Sequence, residues 1–419
     1  MPKPRRRKFT SVERTLEISG LGRHGEGMAE HESGRHFVPY CLPGETVRAT
    51  ITGKTSQLEE VMVASPDRIE AICPSFGTCG GCAVQHLKQD HYRAWKRSVV
   101  ETALRNKQIE VPVEELLDAH GEGRRRVTLH AKFIKGGAIC GLMKSNSHDL
   151  LDLETCPILV PELTNVTTVA QALSAPFASA ANQVDIQVTA ADNGLDCDVR
   201  GAGKMTYDAQ VALASVADEF DIARISIAAD TALERRRPVI RMGLADVVPA
   251  PGGFLQATRE GEDTLSRLAL DHIAGAKTVA DLYCGVGPFA LRAAENATVT
   301  AYDSNEAAIT SLTNAIRFTK GLKPLTPRKQ NLSSDAVYHT DLNVYDAVIL
   351  DPPRAGALHQ VRELVDSKVE RVVSISCDPA SFARDAEILV TGGYTLEKVV
   401  PVDQFKYSSH VEIVGCFSR

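Results

Sequence analysis

The sequence predicts a multidomain protein that begins with a small β-barrel, continues through a central α+β domain and ends in an α/β, Rossmann-like domain. Three observations carry this reading. From about residue 250 onward, apolar strand-like runs alternate with helical ones, the mark of a doubly wound parallel sheet. Residues 9–64 break into short strand-like runs separated by glycine- and proline-bearing turns. Between these parts lies a stretch that opens on closely spaced cysteines. A chain of 419 residues is long enough for each part to bury its own core.

Residues 1–8 form a basic tail, Lys3 to Lys8, open to two readings: a solvated terminus or an RNA contact. In 9–64 the expected strands are Thr15–Ile18, His36–Val38 and Thr46–Thr52, with Gly20, Gly22, Gly25 and Gly27 between the first two. Residues 65–249 form the central domain. Its helix, about 89–107, carries Trp95, Val99, Val100 and Leu104 among Lys96, Arg97 and Arg105, and is placed to pack on the last domain. Runs such as Arg126–Phe133 and Val184–Val188 then predict an antiparallel sheet. In 250–419 the predicted strands are Thr278–Leu282, Thr298–Asp303, Ala347–Leu350 and Arg371–Ser376, and the helices Pro288–Glu295, Asn305–Phe318 and Leu358–Ser367.

A net charge of -6 excludes a uniformly basic nucleic-acid binder, so any RNA contact is local, at Lys3–Lys8, Arg124–Arg126 or Arg235–Arg237. No apolar leader follows the basic start, and no run approaches the roughly 18 apolar residues of a membrane span. A cytoplasmic protein is expected, without membrane contact and with no obligate protein partner evident. In a reducing compartment, ten cysteines point to metal ligation or chemistry rather than to disulfides. Cys41, Cys140, Cys197 and Cys416 read as small buried hydrophobes.

Ligands of open α/β sheets bind beyond the carboxyl ends of the strands, where Leu282-Tyr-Cys-Gly-Val-Gly287 places a glycine turn. Gly285-Val-Gly-Pro-Phe-Ala290 also fits a dinucleotide fingerprint, with Asp303 near a ribose, so a nicotinamide-dependent oxidoreductase stays open at this point. Further along, Asp351 ends a buried strand and is followed by two prolines, as in nucleic-acid methyltransferases. The strand Arg371–Ser376 delivers Cys377 to the same edge. A thiolate adding to C6 of uridine would make C5 nucleophilic toward a sulfonium methyl, and a base would then remove the C5 proton.

Asp351-Pro-Pro-Arg-Ala-Gly356, Ser376-Cys-Asp-Pro-Ala-Ser-Phe-Ala-Arg-Asp385 and His410-Val-Glu412 together resemble the RNA uridine-5 methyltransferase family. That resemblance implies a class I methyltransferase domain, Cys377 as nucleophile and Glu412 as proton acceptor. It also implies S-adenosylmethionine contacts from Gln256, Tyr283, Asp303 and Asp351. Pro288, Thr258 and Asp378 depart from the family pattern, and Asp378 would raise the Cys377 pKa unless paired.

Gly20-Leu-Gly-Arg-His-Gly-Glu-Gly27, Phe37-Val-Pro39 and Leu42-Pro-Gly-Glu45 resemble the TRAM domain, an OB-like RNA-binding barrel. Cys73, Cys79 and Cys82, with Cys156, supply four thiolates that suit zinc or a [4Fe-4S] cluster. Cys79-Gly-Gly-Cys-Ala-Val-Gln-His86 resembles the iron-sulfur branch of the family, which implies the cluster over zinc. A radical-type methylthiotransferase would need a C-x3-C-x2-C spacing absent here, and a non-catalytic iron-sulfur RNA-binding protein remains an alternative. TRAM domain and cluster together resemble the 23S ribosomal RNA branch more than the transfer RNA branch.

Overall fold

The computed structural model describes residues 10–135, 137–179 and 181–419; the basic run Lys3–Lys8 lies outside them. At the N-terminal side two three-stranded antiparallel sheets share one core. The first comprises Ser11–Glu17, Thr46–Thr52 and Thr55–Val63, the second Gly20–Leu21, Gly27–His31 and Gly34–Val38. Along Thr46–Thr52 every second side chain turns inward, so Val47, Ala49 and Ile51 meet Leu16, Ile18, Ala29 and Val38. The strands extend beyond the expected Thr15–Ile18 and His36–Val38, and Thr55–Val63 is one that the turn pattern did not reveal.

Helix α1, Gln89–Arg105, runs from this region to the last domain. Its Trp95 donates to the Gly22 carbonyl at 3.0 Å, and its Lys96 reaches Asp403. The central sheet has seven strands, running in space as Leu150–Asp152, Gly137–Met143, Arg126–Ile134, Gln183–Ala191, Gly194–Arg200, Ile222–Ile227 and Asp230–Glu234. The expectation of a wholly antiparallel sheet is corrected here. Gly194–Arg200 and Ile222–Ile227 are parallel, because helix Tyr207–Glu219 carries the chain back between them.

The last domain holds β1 Thr278–Leu282, β2 Thr298–Asp303, β3 Leu325–Lys329, β4 Ala347–Leu350, β5 Arg371–Ser376, β6 Thr395–Asp403 and β7 Glu412–Ser418. In space they run β3-β2-β1-β4-β5-β7-β6, with the short strand Leu117–Asp118 pairing beyond β6. The strands β1 to β5 are parallel, but β7 inserts antiparallel between β5 and β6, so the sheet is mixed rather than wholly parallel. Helices α2 Arg259–His272, α3 Pro288–Ala293, α4 Glu306–Phe318, α5 Leu358–Asp366 and α6 Pro379–Thr391 cover the sheet. Two apolar clusters sit on its opposite faces, one including Val279, Ile349 and Val373, the other Ala280, Val348 and Val372. That alternation follows from side chains pointing to opposite faces along each strand. No described helix is long and apolar enough to cross a membrane.

Candidate active site

The carboxyl ends of β1, β2, β4 and β5 meet at one edge. After β1, Tyr283, Gly285 and Gly287 all take positive φ, so the chain reverses within five residues. Tyr283 is the strained member, since a side chain in the left-handed region costs about 1–2 kcal/mol. A Cβ on Gly287 would lie 2.6 Å from Leu312, whereas one on Gly285 would meet nothing within 4 Å. Gly287 therefore serves packing and Gly285 leaves an open approach. Pro288, one of the noted departures, stands at the first position of α3, where no N–H is needed. Asp303 accepts the Gly285 N–H at 2.8 Å and the Asn305 N–H at 2.7 Å, so it fastens the glycine turn to the end of β2.

Asp351 stands where β4 ends, its N–H donating to Leu282 of β1 at 3.2 Å. Its Oδ2 accepts from Gln256 Nε2 at 3.0 Å, bringing two of the expected donor-binding residues together. Burial pushes the Asp351 carboxyl up to about 7, against the Gln256 hydrogen bond. Thr258, two residues on, caps α2 by accepting the Gly261 N–H and donates to the Ala119 carbonyl. Its departure from the family pattern thus has a structural role.

Cys377 and Glu412 become neighbours through strand pairing. Ser376 pairs with Ile413 across the β5–β7 ladder, and the next residues along the two strands are Cys377 and Glu412. Burial, then Glu412 and Asp351, push the Cys377 thiol up to about 11, with Arg354 pulling the other way. Glu412 is buried, and burial followed by Asp351 lifts its carboxyl to about 8. Asp378 does not act as feared. It caps α6 by accepting the Ala380 and Ser381 N–H groups and pairs with Arg23 at 2.5 Å. Burial opposes its ionisation, but those amides and the guanidinium hold it below the usual carboxylate range.

Two residues here, Asp281 and Gln404, escaped the sequence reading, whereas Arg124 belongs to the basic run it offered for RNA contact. Asp281, near the middle of β1, is wholly buried, and its carboxyl oxygens make no close hydrogen bond among the described residues; burial, then Asp351, raises it to about 8, with the Ala290 amide opposing. The available signal was a carboxylate inside Thr-Val-Ala-Asp-Leu282. Gln404 joins Gln256 to Glu412. Arg124 lines a cavity of about 600 Å³ with Phe405, Ser408 and His410, its guanidinium 5.7 Å from the Phe405 ring.

Cys73, Cys79, Cys82 and Cys156 line one cavity of about 240 Å³, together with Gln85, Arg124 and Pro157. Yet no three His, Cys, Asp or Glu side chains among the described residues close around a point as ligands of one ion would. The four thiols expected to ligate a metal thus share a cavity, but no metal site is formed among the described residues.

The family tRNA (Uracil-5-)-methyltransferase matches residues 329–418. An uncharacterized RNA methyltransferase of Brucella suis is 38% identical over 404 residues, spanning 96% of this chain and 97% of its own. Another, from Caulobacter vibrioides, is 40% identical over 414 residues, covering 96% and 99%. The 23S rRNA (uracil(1939)-C(5))-methyltransferase RlmD of Shewanella sediminis is 29% identical, covering 99% and 98%. The solved structure of Pyrococcus abyssi tRNA (uracil-54, C5)-methyltransferase with S-adenosyl-L-homocysteine superposes with a TM-score of 0.73. It is 22% identical and covers 96% of this chain and 100% of that one, a likeness of fold. Relatives of this identity over nearly the full length make the chain an RNA methyltransferase, and together with the family model over residues 329–418 they place it: the chain belongs to the RNA (uracil-5) methyltransferase family.

Proposed function

We propose that the protein methylates C5 of a uridine in 23S ribosomal RNA, with Cys377 as covalent nucleophile and Glu412 as the base that removes the C5 proton. The observation that carries this is the adjacency of Cys377 and Glu412 at the ends of paired strands, with Asp351 close enough to raise both pKa values. Bound S-adenosylmethionine supplies an electrophilic methyl group. Gln256, Tyr283, Asp303 and Asp351 would hold it at the carboxyl edge. Cys377, its proton lost to solvent, would add to C6 as the thiolate; the C5–C6 electron pair would move onto C5, which would take the methyl group as the sulfonium–methyl bond breaks and a neutral thioether leaves. Glu412 accepts the C5 proton, and the electron pair left behind expels the thiolate. A carboxyl raised to about 8 suits a base that must also receive a proton near neutral pH.

Cys377→Ala is expected to abolish 5-methyluridine formation, and Glu412→Gln to trap a protein–RNA adduct on a denaturing gel. Methyl transfer by Cys377→Ala would sink the mechanism. Family membership favours this reading over a nicotinamide-dependent oxidoreductase. The 23S target draws on the full-length relative from Shewanella sediminis. A transfer RNA target is the second reading, and mapping 5-methyluridine by mass spectrometry in RNA from a deletion strain separates the two.

The RNA would lie in a cleft of about 1690 Å³ lined by Arg23, Lys54 and Phe37 of the N-terminal sheets, Trp95 of α1 and Ala380 of α6. Cationic and aromatic side chains suit phosphates and unstacked bases. The N-terminal sheets take the role of a TRAM domain on this reading. The choice of a [4Fe-4S] cluster over zinc rests on the resemblance of Cys79-Gly-Gly-Cys-Ala-Val-Gln-His86 to the iron-sulfur branch, and the four cysteines lining one cavity agree with a shared ligand. Anaerobic reconstitution should give about four irons per chain, and Cys82→Ser should lose them. Stoichiometric zinc in place of iron would refute the cluster.

A further inference from the structure

Between the donor side and the base lies a side chain for which neither role accounts. Gln404 follows the last residue of β6 and is fully buried. Its Oε1 accepts the Ala257 N–H at 2.9 Å. A backbone N–H only donates, so the orientation of this amide is set and its Nε2 faces the other way. That nitrogen donates to Gln256 Oε1 at 2.7 Å and to Glu412 Oε1 at 3.1 Å. The orientation propagates: Gln256 must present Oε1 to Gln404, and therefore Nε2 to Asp351. Gly261 makes the space, since a Cβ there would lie 2.7 Å from Gln404.

We infer that Gln404 is a positioning residue that holds the Glu412 carboxylate ready as an acceptor and aims the Gln256 amide at Asp351, linking the base to the donor side. This rests on Glu412 being the base. Among the described residues, Gln404 makes the only side-chain hydrogen bond to the Glu412 carboxyl. The charged groups facing that carboxyl are Asp351 and Arg354 after β4, Cys377 after β5, and Lys96 of α1; His410 precedes it on its own loop. A donor to a carboxylate favours the charged form, so losing it moves the ionisation of Glu412 to higher pH. The base then fails first near neutrality and recovers in alkali.

The test uses the full chain with its RNA substrate, and follows the decay of the covalent adduct against pH in Gln404→Leu, Gln404→Met and Glu412→Gln. Gln404→Met keeps length and volume, guarding against loss of the fold. Removing a hydrogen bond to a charged group should slow adduct decay roughly 10-fold at about pH 7, with recovery toward the wild-type rate by about pH 9. The KM for S-adenosylmethionine should rise as Gln256 is released. A merely structural role would slow decay equally at every pH. Adduct trapping by Glu412→Gln together with a wild-type pH profile in Gln404→Met would overturn the inference alone. If Glu412→Gln traps no adduct, the base assignment goes and the inference with it.

Discussion

Three carboxyls, those of Asp281, Asp351 and Glu412, have no cation in hydrogen-bond contact among the described residues and lie raised at about 8, 7 and 8. The unfolded chain loses the same protons at about pH 4. Between these limits the folded state binds more protons at these three sites, so their contribution to stability falls as pH rises from about 4 to about 8. Asp281→Asn should flatten that fall, because an amide of the same shape has no charge to bury. Melting temperatures at acid and neutral pH check this; equal pH slopes for wild type and variant would refute it. Asp351 and Cys377 were legible in the sequence because prolines and strand ends flag them. Asp281 and Gln404 were not. A single polar residue in or beside a strand reads as a surface position until its neighbours are known.

Helix α1 shows what an element adds. Tyr92, Lys96, Val100 and Leu104 are four residues apart and all buried, so Lys96 sits in the middle of an apolar stripe. Its Nζ donates to Asp403 Oδ1 at 2.5 Å, to the His410 carbonyl at 2.6 Å and to the Phe405 carbonyl at 3.0 Å. Tyr92 donates to the other Asp403 oxygen at 2.7 Å. Burial lowers the Lys96 pKa while Asp403 opposes it. One lysine thus clamps the loop between β6 and β7 that leads to Glu412. Lys96→Met leaves Asp403 buried without its cation, a loss of about 3–5 kcal/mol. A lowered melting temperature should accompany slower adduct resolution, and Lys96→Met/Asp403→Asn should recover part of the stability. No change in resolution would show that the clamp serves folding alone. The helix itself was legible from its period, but the burial of Lys96 was not. Likewise β7 and the Val399–Val402 half of β6 are largely apolar on both faces, which hides their direction; the hairpin that brings Glu412 to Cys377 emerges only in the folded sheet.

At the scale of the molecule, the N-terminal sheets reach the catalytic edge through Arg23, 355 positions from its partner Asp378. No spacing in a sequence announces such a contact, which is why Asp378 read only as a liability beside Cys377. Paired, it is an anchor for α6 and a joint between two parts of the chain. The side chains are 49% and 23% exposed, so solvent screens the pair and its worth is about 0.2–1 kcal/mol. Arg23→Met should therefore have a small effect of defined sign. An uncompensated Asp378 carboxylate disfavours the nearby thiolate and moves adduct formation to higher pH, slowing it about 2- to 5-fold near neutrality. Asp378→Asn removes the charge while its amide oxygen still caps α6. The double variant should then recover the first-step rate, whereas RNA affinity, if Arg23 also meets phosphate, should stay weakened in both backgrounds. Single-turnover rates of adduct formation against pH, measured beside RNA binding for all four members of the cycle, separate the two roles. Equal rate losses in Arg23→Met and the double variant would mean that Arg23 acts on the RNA and not on Cys377.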